Sequence, residues 1–246
     1  MRDVVYHQYA KSFERHWWTE HRRSFVSRWL LAAGIAPDGT HPVLEIGSGA
    51  GTEYAYLSHF GPVTGVEINQ TGLEYCRTRG YANLLAGDLN ELDLPREQFD
   101  LAVDFHVLYH EWVREPGVVL RKIHASLRPN GRLVMTEPAH EFLRRGHDQA
   151  VMAARRWSRR DLRRLVEDAG FEIEHFRGFL TILLPAVLLS LLLDRLRPTH
   201  NEVGELERPS VLVDGLLRAT MAVERFLMRL VSLPTGTSWA LVARKR

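Results

Sequence analysis

The chain has 246 residues, of which 45% are hydrophobic and 25% charged, so it can bury a full core in one large α/β domain with additions. A formal net charge of +2 gives no general case for nucleic-acid binding, and the single cysteine excludes an intrachain disulfide and a cysteine-rich metal site. Because one buried thiol fits a reducing compartment and no signal-peptide pattern opens the chain, we expect a cytoplasmic protein.

Residues 1–40 place aromatic and basic side chains at helical spacing and are predicted to form a helical cap over a ligand pocket. Trp17 and Trp18, followed by Arg22 and Arg23, are the most unusual residues of this segment. A tryptophan pair beside arginine can wall a pocket or stack on a bound molecule, and it can equally fix a helix to the core. Both interpretations stay open.

An aliphatic run ends in Glu45 and leads into a Gly-x-Gly-x-Gly turn at Gly47, Gly49 and Gly51. Glycine lets the chain turn sharply, lets backbone approach a ligand without a Cβ, and lets the next helix pack closely on its strand. The pattern is typical of a strand that feeds a nucleotide-binding loop, with a helix amino terminus open to an anion.

Two acids follow at positions that suit a nucleoside. Glu67 ends a second apolar run twenty residues after Gly47, where a carboxylate can accept the hydroxyls of a ribose. Asp88 ends a third run, where it can accept a hydrogen bond from an adenine amino group. Together the three runs predict a nucleotide site at the carboxyl ends of neighbouring strands.

Apolar runs alternate with helical patterns, which predicts a doubly wound α/β fold with right-handed parallel crossovers. Ser158 and Asp161 form a pattern similar to a capping box, which predicts a helix that ends at Gly170. Further helices are predicted near 51–59, 70–79 and 115–128. Strands are predicted near 42–46, 62–67, 81–86, 98–104, 131–137, 171–177 and 237–244.

Residues 178–235 are predicted to form a helical insertion before the last strand. Residues 179–193 carry no charge, but this run is shorter than the roughly 20 residues that span a bilayer, and it contains Pro185. We therefore expect a buried helix, a dimer interface or a substrate lid first, and peripheral membrane contact second. A second helix is predicted to pack on the core through an apolar stripe, which consists of Leu212, Leu216, Ala219, Val223, Phe226 and Leu230.

Five motifs between residues 42 and 138 carry a family resemblance: VLEIGSGAGTEYAYL, GVEIN, AGDLNELDLP, FDLAVDFHVLYHEW and LRKIHASLRPNGRLVMTEP. In them the chain resembles the class I S-adenosylmethionine-dependent methyltransferases. Thr52 stands where nicotinamide enzymes have the third glycine of their fingerprint. The segments 14–23 and 147–157 are similar to a bacterial subgroup found in natural-product, polysaccharide and lipid-linked sugar clusters.

The resemblance implies a Rossmann-like sheet of seven strands whose last two are antiparallel. Residues 41–177 and 236–246 would form the cofactor-binding core, and 178–235 a lid or interface inserted between the last two strands. The implied cofactor is S-adenosyl-L-methionine, with binding expected from Glu45, Gly47, Gly49, Gly51, Glu67, Asp88, Leu89 and Asp104. The loop after the fourth strand should face the methyl group, and substrate contacts are expected from Trp17, Trp18, Tyr109 and His147.

Methyl transfer from a sulfonium needs no proton for the leaving thioether, so alignment and exclusion of water can supply much of the rate. A phenol, hydroxyl or ammonium acceptor would need a base near neutral pKa, which suits histidine. We expect such a base among His110, His106 and His140, in that order, although His110 could instead pack the loop. His147 beside Asp148 could form an oriented pair or a helix cap, and no metal-binding spacing is evident.

The predicted function is methyl transfer to an oxygen or nitrogen of a small, partly apolar acceptor such as a natural product. One alternative moves the chemistry to a peptide or lipid-linked sugar at a membrane surface, motivated by the uncharged run and by the arginines between 144 and 164. Another is a relative that binds the cofactor without turnover. A homodimer is left open, and nucleic acid is not expected as a partner because no Asn/Asp-Pro-Pro-Tyr/Phe loop follows the fourth strand.

Overall fold

A computed structural model describes residues 3–196 and 209–246, without the side chains of Val5, His147 and residues 194–196. Its helices are α1 (Asp3–Ser12), α2 (Trp17–Ala32), α3 (Tyr54–Leu57), α4 (Gln70–Thr78), α5 (Pro116–Ser126), α6 (Gly146–Ala150), α7 (Arg159–Asp168), α8 (Leu184–Leu196) and α9 (Val211–Leu230). Its strands are β1 (Val43–Ile46), β2 (Val63–Glu67), β3 (Asn83–Ala86), β4 (Phe99–Phe105), β5 (Leu127–Pro138), β6 (Phe171–Phe179) and β7 (Ser238–Lys245).

The described strands form one seven-stranded sheet in the order β3-β2-β1-β4-β5-β7-β6. β1 pairs in parallel with β2 and β4, whereas β7 lies antiparallel between β5 and β6. The predicted doubly wound sheet with an antiparallel last strand is confirmed. Strand order reverses beside β1, so the carboxyl ends of β1 and β4 flank the crevice in which such sheets bind ligands.

Each face of the sheet packs its own apolar cluster, because successive strand residues point to opposite sides. In β1, Leu44 and Ile46 join the cluster formed with α5 and α7, while Val43 joins the cluster that includes Phe25 and Trp29 of α2. Helices therefore cover both faces, as largely parallel sheets require. This packing fixes β1 and its glycine loop at the centre of the molecule.

Element boundaries follow local backbone chemistry. Ser158 caps α7 as predicted, since its hydroxyl accepts a hydrogen bond from the Asp161 N–H at 3.1 Å. Helix α3 has a single turn instead of the predicted 51–59, because the loop before it keeps Gly51 in the left-handed region at φ +68°. Strand β5 begins at Leu127, four residues before the predicted start.

Residues 3–12 and 17–32 of the predicted N-terminal cap are helical, and they lie over the crevice. Helix α1 contacts α4 and the end of β2, where the Tyr6 hydroxyl donates to Glu67 at 3.0 Å. The turn between α1 and α2 is tied down by an ion pair of 2.7 Å between Glu14 and Arg79. Helix α2 also packs against α9, so the cap and the insertion support each other.

The apolar stripe of α9 faces solvent, and the prediction that it packs on the core is wrong. Leu212 is 87% exposed and Leu216 67%, whereas Met221 and Met228 on the opposite side of the helix are buried. The amphipathic pattern was correct about which residues share a face. It could not tell which face would be turned inward.

A buried polar contact explains this orientation. Glu224 is fully buried on the inner side of α9, where it accepts a hydrogen bond from the Ile182 N–H at 2.9 Å and lies 3.3 Å from His21 Nε2. A carboxyl group in the interior needs such partners, since leaving it without them costs several kcal/mol. These contacts fix the rotation of α9 and leave its apolar stripe outside.

The uncharged run at 179–193 contributes the end of β6 and most of α8. The outer side of α8 leaves Leu189 57% and Leu192 55% exposed, so the expectation of a fully buried helix is wrong there. Within 3–196 and 209–246, no helix is long and apolar enough to cross a membrane. The part of the predicted insertion at 197–208 lies outside the described residues.

Candidate functional site

A cavity of about 390 Å³ lies at the carboxyl ends of β1, β2 and β4, where strand order reverses. The N-terminal cap supplies one wall, formed by Tyr6, Tyr9, Phe13, Trp18 and Arg22. The glycine loop and the ends of β2 and β3 supply the floor, and the loop after β4 supplies the facing wall. No described residue of 178–235 lines the cavity, so the described part of the insertion gives no support to the lid alternative.

The glycine loop takes a backbone that other residues adopt at a cost. Gly47 and Gly49 line the cavity with φ of +63° and +57°. A Cβ on Gly47 would lie 2.7 Å from Val107 Cγ2, so the close approach of the two loops requires glycine. The Gly49 N–H donates to Glu67 at 2.7 Å, which ties the loop to the end of β2.

Glu67 is buried at the end of β2 and accepts several hydrogen bonds. Its Oε1 accepts from the N–H groups of Ile68 and Asn69 at 3.0 and 2.8 Å and from the Tyr6 hydroxyl, and its Oε2 accepts from the Gly49 N–H. Oε2 therefore keeps capacity for another donor, such as a ribose hydroxyl. Burial raises the pKa of Glu67, and the backbone donors partly offset that rise.

Glu45 lines the cavity from β1, as the sequence predicted, but it carries little charge there. Burial raises the pKa of Glu45 to about 8, so its carboxyl group is mostly protonated at neutral pH. The Tyr81 hydroxyl donates to Glu45 Oε2.

Asp88 and Leu89 line the far end of the cavity, after β3. Asp88 Oδ1 accepts the Asn90 N–H at 2.8 Å, and Oδ2 lies 3.5 Å from Arg114. These contacts hold the carboxylate at the rim. Three apolar residues at this end were not predicted from the sequence. Ile68 directly follows Glu67, and Trp112 and Val113 follow the loop after β4.

Aromatic side chains of the cap face the loop after β4. The ring centroids of Tyr9 and Phe13 lie 4.0 Å apart, those of Phe13 and Trp18 6.0 Å, and those of Trp18 and His106 5.0 Å. Trp18 was predicted to contact substrate, whereas Tyr9 and Phe13 were missed because apolar residues at helical spacing usually indicate core packing. This end of the cavity suits a flat or apolar group.

Arg22 is 4% exposed and lies between two rings, with its guanidinium 4.3 Å from the centroids of both Trp18 and Phe105. Its Nη2 donates to Glu53 at 2.6 Å, and Arg23 Nε donates to the other oxygen of Glu53 at 2.8 Å. Two guanidinium groups thus share one carboxylate. Arg22 Nε is buried and has no hydrogen-bond partner among the described residues.

His106 lines the cavity beside Trp18 and is only partly buried. Its backbone is left-handed at φ +64°, and Nδ1 lies 3.0 Å from Thr136 Oγ1 while Nε2 lies 3.4 Å from Ser238 Oγ. These contacts and the neighbouring ring of Tyr109, 6.1 Å away, hold the imidazole at the aromatic end.

His110, which the sequence ranked first as a base, also lines the cavity but is nearly buried. Burial lowers the pKa of His110 to about 4, so the ring is neutral at physiological pH and has little tendency to take a proton. It stacks on Tyr109 at 4.1 Å, and burial raises the pKa of Tyr109 well above its usual value. Both side chains therefore act as neutral walls.

Several predicted site residues lie elsewhere. Gly51 is absent from the cavity lining and packs beneath α4, and Trp17 is likewise outside the lining, next to His16. His140 Nε2 bonds Thr235 at 2.7 Å, away from the cavity, and burial lowers the pKa of His140. The side chain of His147 is outside the described residues.

Asp148, the predicted companion of His147, forms an ion pair with Arg156 at 2.9 Å and accepts the Arg145 N–H at 2.8 Å. Both atoms of its carboxylate are therefore engaged in holding the segment after β5. This contact fits the helix-cap alternative, because the acceptor of a backbone N–H lies at the start of α6.

Asp104, predicted to bind the cofactor, is fully buried beneath the loop after β4 and does not line the cavity. The Val107 N–H lies 3.1 Å from Asp104 Oδ1 and 3.1 Å from Glu137 Oε1. Glu137 also accepts the Leu108 N–H at 3.0 Å and the Trp157 indole N–H at 3.0 Å. The two carboxyl groups thus hold the backbone of the loop that carries His106.

The two carboxyl groups lie together in the interior, where the charge of Asp104 adds to the effect of burial on Glu137. Burial raises the pKa of Asp104 to about 7 and that of Glu137 well above its usual value. The pair therefore favours holding a proton at neutral pH. Sequence reasoning gave no signal for Glu137, because only the fold brings the ends of β4 and β5 together.

The cavity fits an S-adenosyl group on features of its own residues. Gly47 and Gly49 leave a cradle that a side chain on Gly47 would fill, and Glu67 retains acceptor capacity for a hydroxyl. Among the residues that the structure describes, no three His, Cys, Asp or Glu side chains form a set that could hold a metal ion.

Comparisons with known proteins agree with this geometry. Residues 44–135 match the family model described as a methyltransferase domain. An uncharacterised 37.1 kDa protein of transposon TN4556 from Streptomyces fradiae is 32% identical over 177 residues, which cover 63% of this chain and 50% of that protein. Ubiquinone biosynthesis O-methyltransferase of Bradyrhizobium diazoefficiens is 36% identical over 100 residues, 38% of each chain.

The chain thus spans half or less of the length of these two relatives. Among solved structures, an S-adenosylmethionine-dependent methyltransferase from Mesorhizobium loti superimposes with a TM-score of 0.58 and 18% identity, covering 89% of this chain and 98% of that one. This last likeness concerns the fold alone. Residues 44–135 thus form a methyltransferase domain, and the strand order and the cavity at the glycine loop make the chain similar to the class I S-adenosylmethionine-dependent methyltransferases.

Proposed function

We propose that this protein transfers a methyl group from S-adenosylmethionine to an oxygen or nitrogen of a small, partly apolar acceptor. The observation that carries the proposal is one continuous cavity in which the glycine loop and Glu67 face an aromatic wall across a short distance. A nucleoside at the loop and an acceptor at the wall would share that cavity. A cytoplasmic location belongs to the same proposal, since Cys76 is buried and unpaired.

The aromatic end of the cavity favours a neutral acceptor. The lining acids are Glu45, Glu53, Glu67 and Asp88. At the aromatic end the cation Arg22 is already paired with Glu53, which offsets its charge. A phenol or another neutral hydroxyl group therefore suits this end better than a charged group. The name of the Bradyrhizobium relative, an O-methyltransferase, supports oxygen as the methylated atom.

The bound S-adenosyl group would supply an electrophilic methyl on a sulfonium, and its thioether leaves without a proton. The residues of this chain would bind the two reactants, align them and exclude water. Most of the rate of such a displacement can arise from these effects. For a hydroxyl acceptor, His106 is better placed than His110 to take the proton, because it lies at the aromatic end and is not sealed in the interior.

Two measurements test the proposal. Calorimetry with S-adenosylhomocysteine should show binding to the wild type and none to Gly49→Asp, whose added carboxylate enters where the ligand must approach. Transfer of labelled methyl to a panel of phenols, hydroxy acids, carboxylic acids and amines should then favour oxygen acceptors. Normal affinity in a folded Gly49→Asp protein would refute the site, and transfer only to amines would refute the acceptor class.

Two other functions remain candidates with their own tests. A peptide or lipid-linked sugar acceptor at a membrane surface would show turnover only when such an acceptor is presented in vesicles. A protein that binds the cofactor without turnover would bind S-adenosylhomocysteine normally and methylate nothing in either setting. The intact glycine loop and Glu67 contacts speak against a degenerate site, since they are the features such a protein could lose.

A further inference from the structure

The outer side of α9 presents an apolar stripe along most of its length. Leu216 is 67% exposed, Val223 53%, Phe226 58% and Leu230 68%, and their spacing of three, four and seven residues places them on one side of the helix. Isolated exposed leucines are ordinary, but four large side chains in a row on one helix mark an interaction surface.

This stripe cannot be buried by turning the helix. Met221, Glu224 and Met228 hold the opposite side of α9 in the interior, and Glu224 is bonded to the Ile182 N–H. The Met228 carbonyl oxygen also accepts a hydrogen bond from Arg177 at 3.1 Å. A rotation of half a turn would bury the stripe only by exposing these contacts. Among residues 3–196 and 209–246, none covers the stripe.

Arginines flank the stripe on one side. Arg28 of α2 and Arg225 and Arg229 of α9 line a groove between the two helices, together with Leu31, which is 63% exposed. No carboxylate lines this groove. The arginines between 144 and 164 are a weaker candidate, because members of that group form ion pairs within the protein, as Arg156 does with Asp148.

We infer that the surface formed by the α9 stripe and the α2–α9 groove docks on a bilayer that contains anionic lipids. An apolar helix side with a flank of arginines is the pattern by which helices lie in a membrane interface, where the stripe enters the acyl boundary and the cations contact phosphates. This inference concerns the location of the protein and does not depend on methyl transfer.

A second copy of the chain fits this surface less well. A two-fold interface would set the same patch against itself, so the α9 arginines of one copy would approach those of the other. The groove offers no carboxylate to offset that repulsion. Anionic phosphates complement the arginines of the groove directly, so a lipid surface fits better than a second copy.

The experiment is co-sedimentation of the whole protein with vesicles of phosphatidylcholine alone and of phosphatidylcholine with one-third phosphatidylglycerol. We expect binding only to the second, and a fall in binding as salt rises from 50 to 500 mM, values chosen to bring the screening length from above 10 Å toward 4 Å. Failure to bind the anionic vesicles at low salt would overturn the inference.

Matched variants locate the surface. Phe226→Gln should lower the partition coefficient at least five-fold, whereas Phe142→Gln, which removes an equally exposed phenylalanine (59%) far along the chain from α9, should leave it unchanged. Arg229→Gln should lower it about five-fold, since each interfacial arginine contributes on the order of 1 kcal/mol. Equal losses in the two phenylalanine variants would contradict this surface.

Light scattering without vesicles provides the remaining check. The wild type should remain a monomer at micromolar concentration, and Phe226→Gln should have the same mass and the same melting temperature because Phe226 is exposed. A wild-type dimer that Phe226→Gln dissociates would show that a second copy covers the stripe, which would overturn the lipid assignment.

Discussion

At the residue scale, Gly47 of the glycine loop lies close to Val107 of the loop after β4. Gly47→Ala would place a methyl group 2.7 Å from Val107 Cγ2. Gly39→Ala is a matched control, since Gly39 has φ +82° but no atom within 4 Å of its missing Cβ. Both variants should lose about 1 kcal/mol of stability through the left-handed backbone. Only Gly47→Ala should also lose S-adenosylhomocysteine affinity, by ten-fold or more in calorimetry.

His106 and His110 are distinguished by their exposure. If His106 takes the acceptor proton, His106→Asn should lower turnover about 10²- to 10⁴-fold with unchanged affinity for S-adenosylhomocysteine. Asparagine is the appropriate replacement because it tolerates the φ of +64° at this position. His110→Gln should keep most activity. Full activity of His106→Asn on a phenol would remove His106 from the mechanism.

The burial of His110 also changes the expected pH profile. A base with an ordinary histidine pKa predicts loss of kcat/KM below pH 6 to 7, as the sequence led us to expect for His110. With its pKa lowered to about 4, His110 cannot cause a loss in that range. An inflection between pH 6 and 7 that persists in His110→Gln would confirm that another group titrates there.

The Asp104–Glu137 pair predicts a pH dependence of stability. Burial raises the folded pKa of Asp104 to about 7, so the folded chain holds a proton that the unfolded chain releases from about pH 4 upward. The free energy of unfolding should therefore fall as pH rises from about 4 to about 7, and the raised pKa of Glu137 extends the fall to higher pH. Tyr109 and Arg155 lie in the field of Glu137.

Asp104→Asn should lessen this fall, because asparagine does not titrate. Urea unfolding at pH 5 to 8 measures the effect. Asp100→Asn is the control, since Asp100 lies on the same strand and pairs with Arg128 near the surface. Glu45 and Glu137, with their raised pKa values, leave a residual slope of the same sign. An unchanged slope in Asp104→Asn would contradict the raised pKa of Asp104.

At the scale of elements, α9 depends on one buried polar contact for its orientation. Glu224→Ala would leave His21 and the Ile182 N–H without their partner in the interior. We expect a loss of about 3 kcal/mol in urea unfolding. Asp214→Ala, which removes a partly exposed acid of the same helix paired with Arg218, should change stability by about 0.5 kcal/mol at most. Similar losses in both would mean that α9 is held by its apolar side alone.

At the scale of the whole molecule, the N-terminal cap forms one wall of the cavity, and its contact with Glu67 helps to hold it there. Tyr6 is 4% exposed and joins α1 to Glu67 through its hydroxyl. Tyr6→Phe should therefore raise the dissociation rate constant of S-adenosylhomocysteine about ten-fold, the value of one hydrogen bond to a charged group. Tyr9→Phe removes a hydroxyl from the same wall without a described hydrogen bond and should not. Stopped-flow fluorescence measures both rates, and equal rates for the two variants would contradict a cap fastened by Tyr6.

Local sequence determined the core of the fold and the floor of the site. The strands, the glycine loop and the acids at 67 and 88 could be read from the chain, because strand periodicity, turn chemistry and the spacing of a βαβ unit are properties of neighbouring residues. The same reasoning located His106 and His110 on one loop. It ranked His110 before His106 as a base and could not foresee that burial lowers the pKa of His110 to about 4.

Only the tertiary structure decided the rest. Tyr6, Tyr9 and Phe13 form a wall of the cavity, and Glu137 lies beside Asp104 beneath the loop after β4. The apolar stripe of α9 faces outward. Each of these features depends on which distant elements pack together. An amphipathic pattern tells which residues share a side of a helix, but not whether another surface exists to cover that side. In α9 the satisfied contacts of Glu224 outweighed the apolar stripe, and that balance is a property of the folded molecule as a whole.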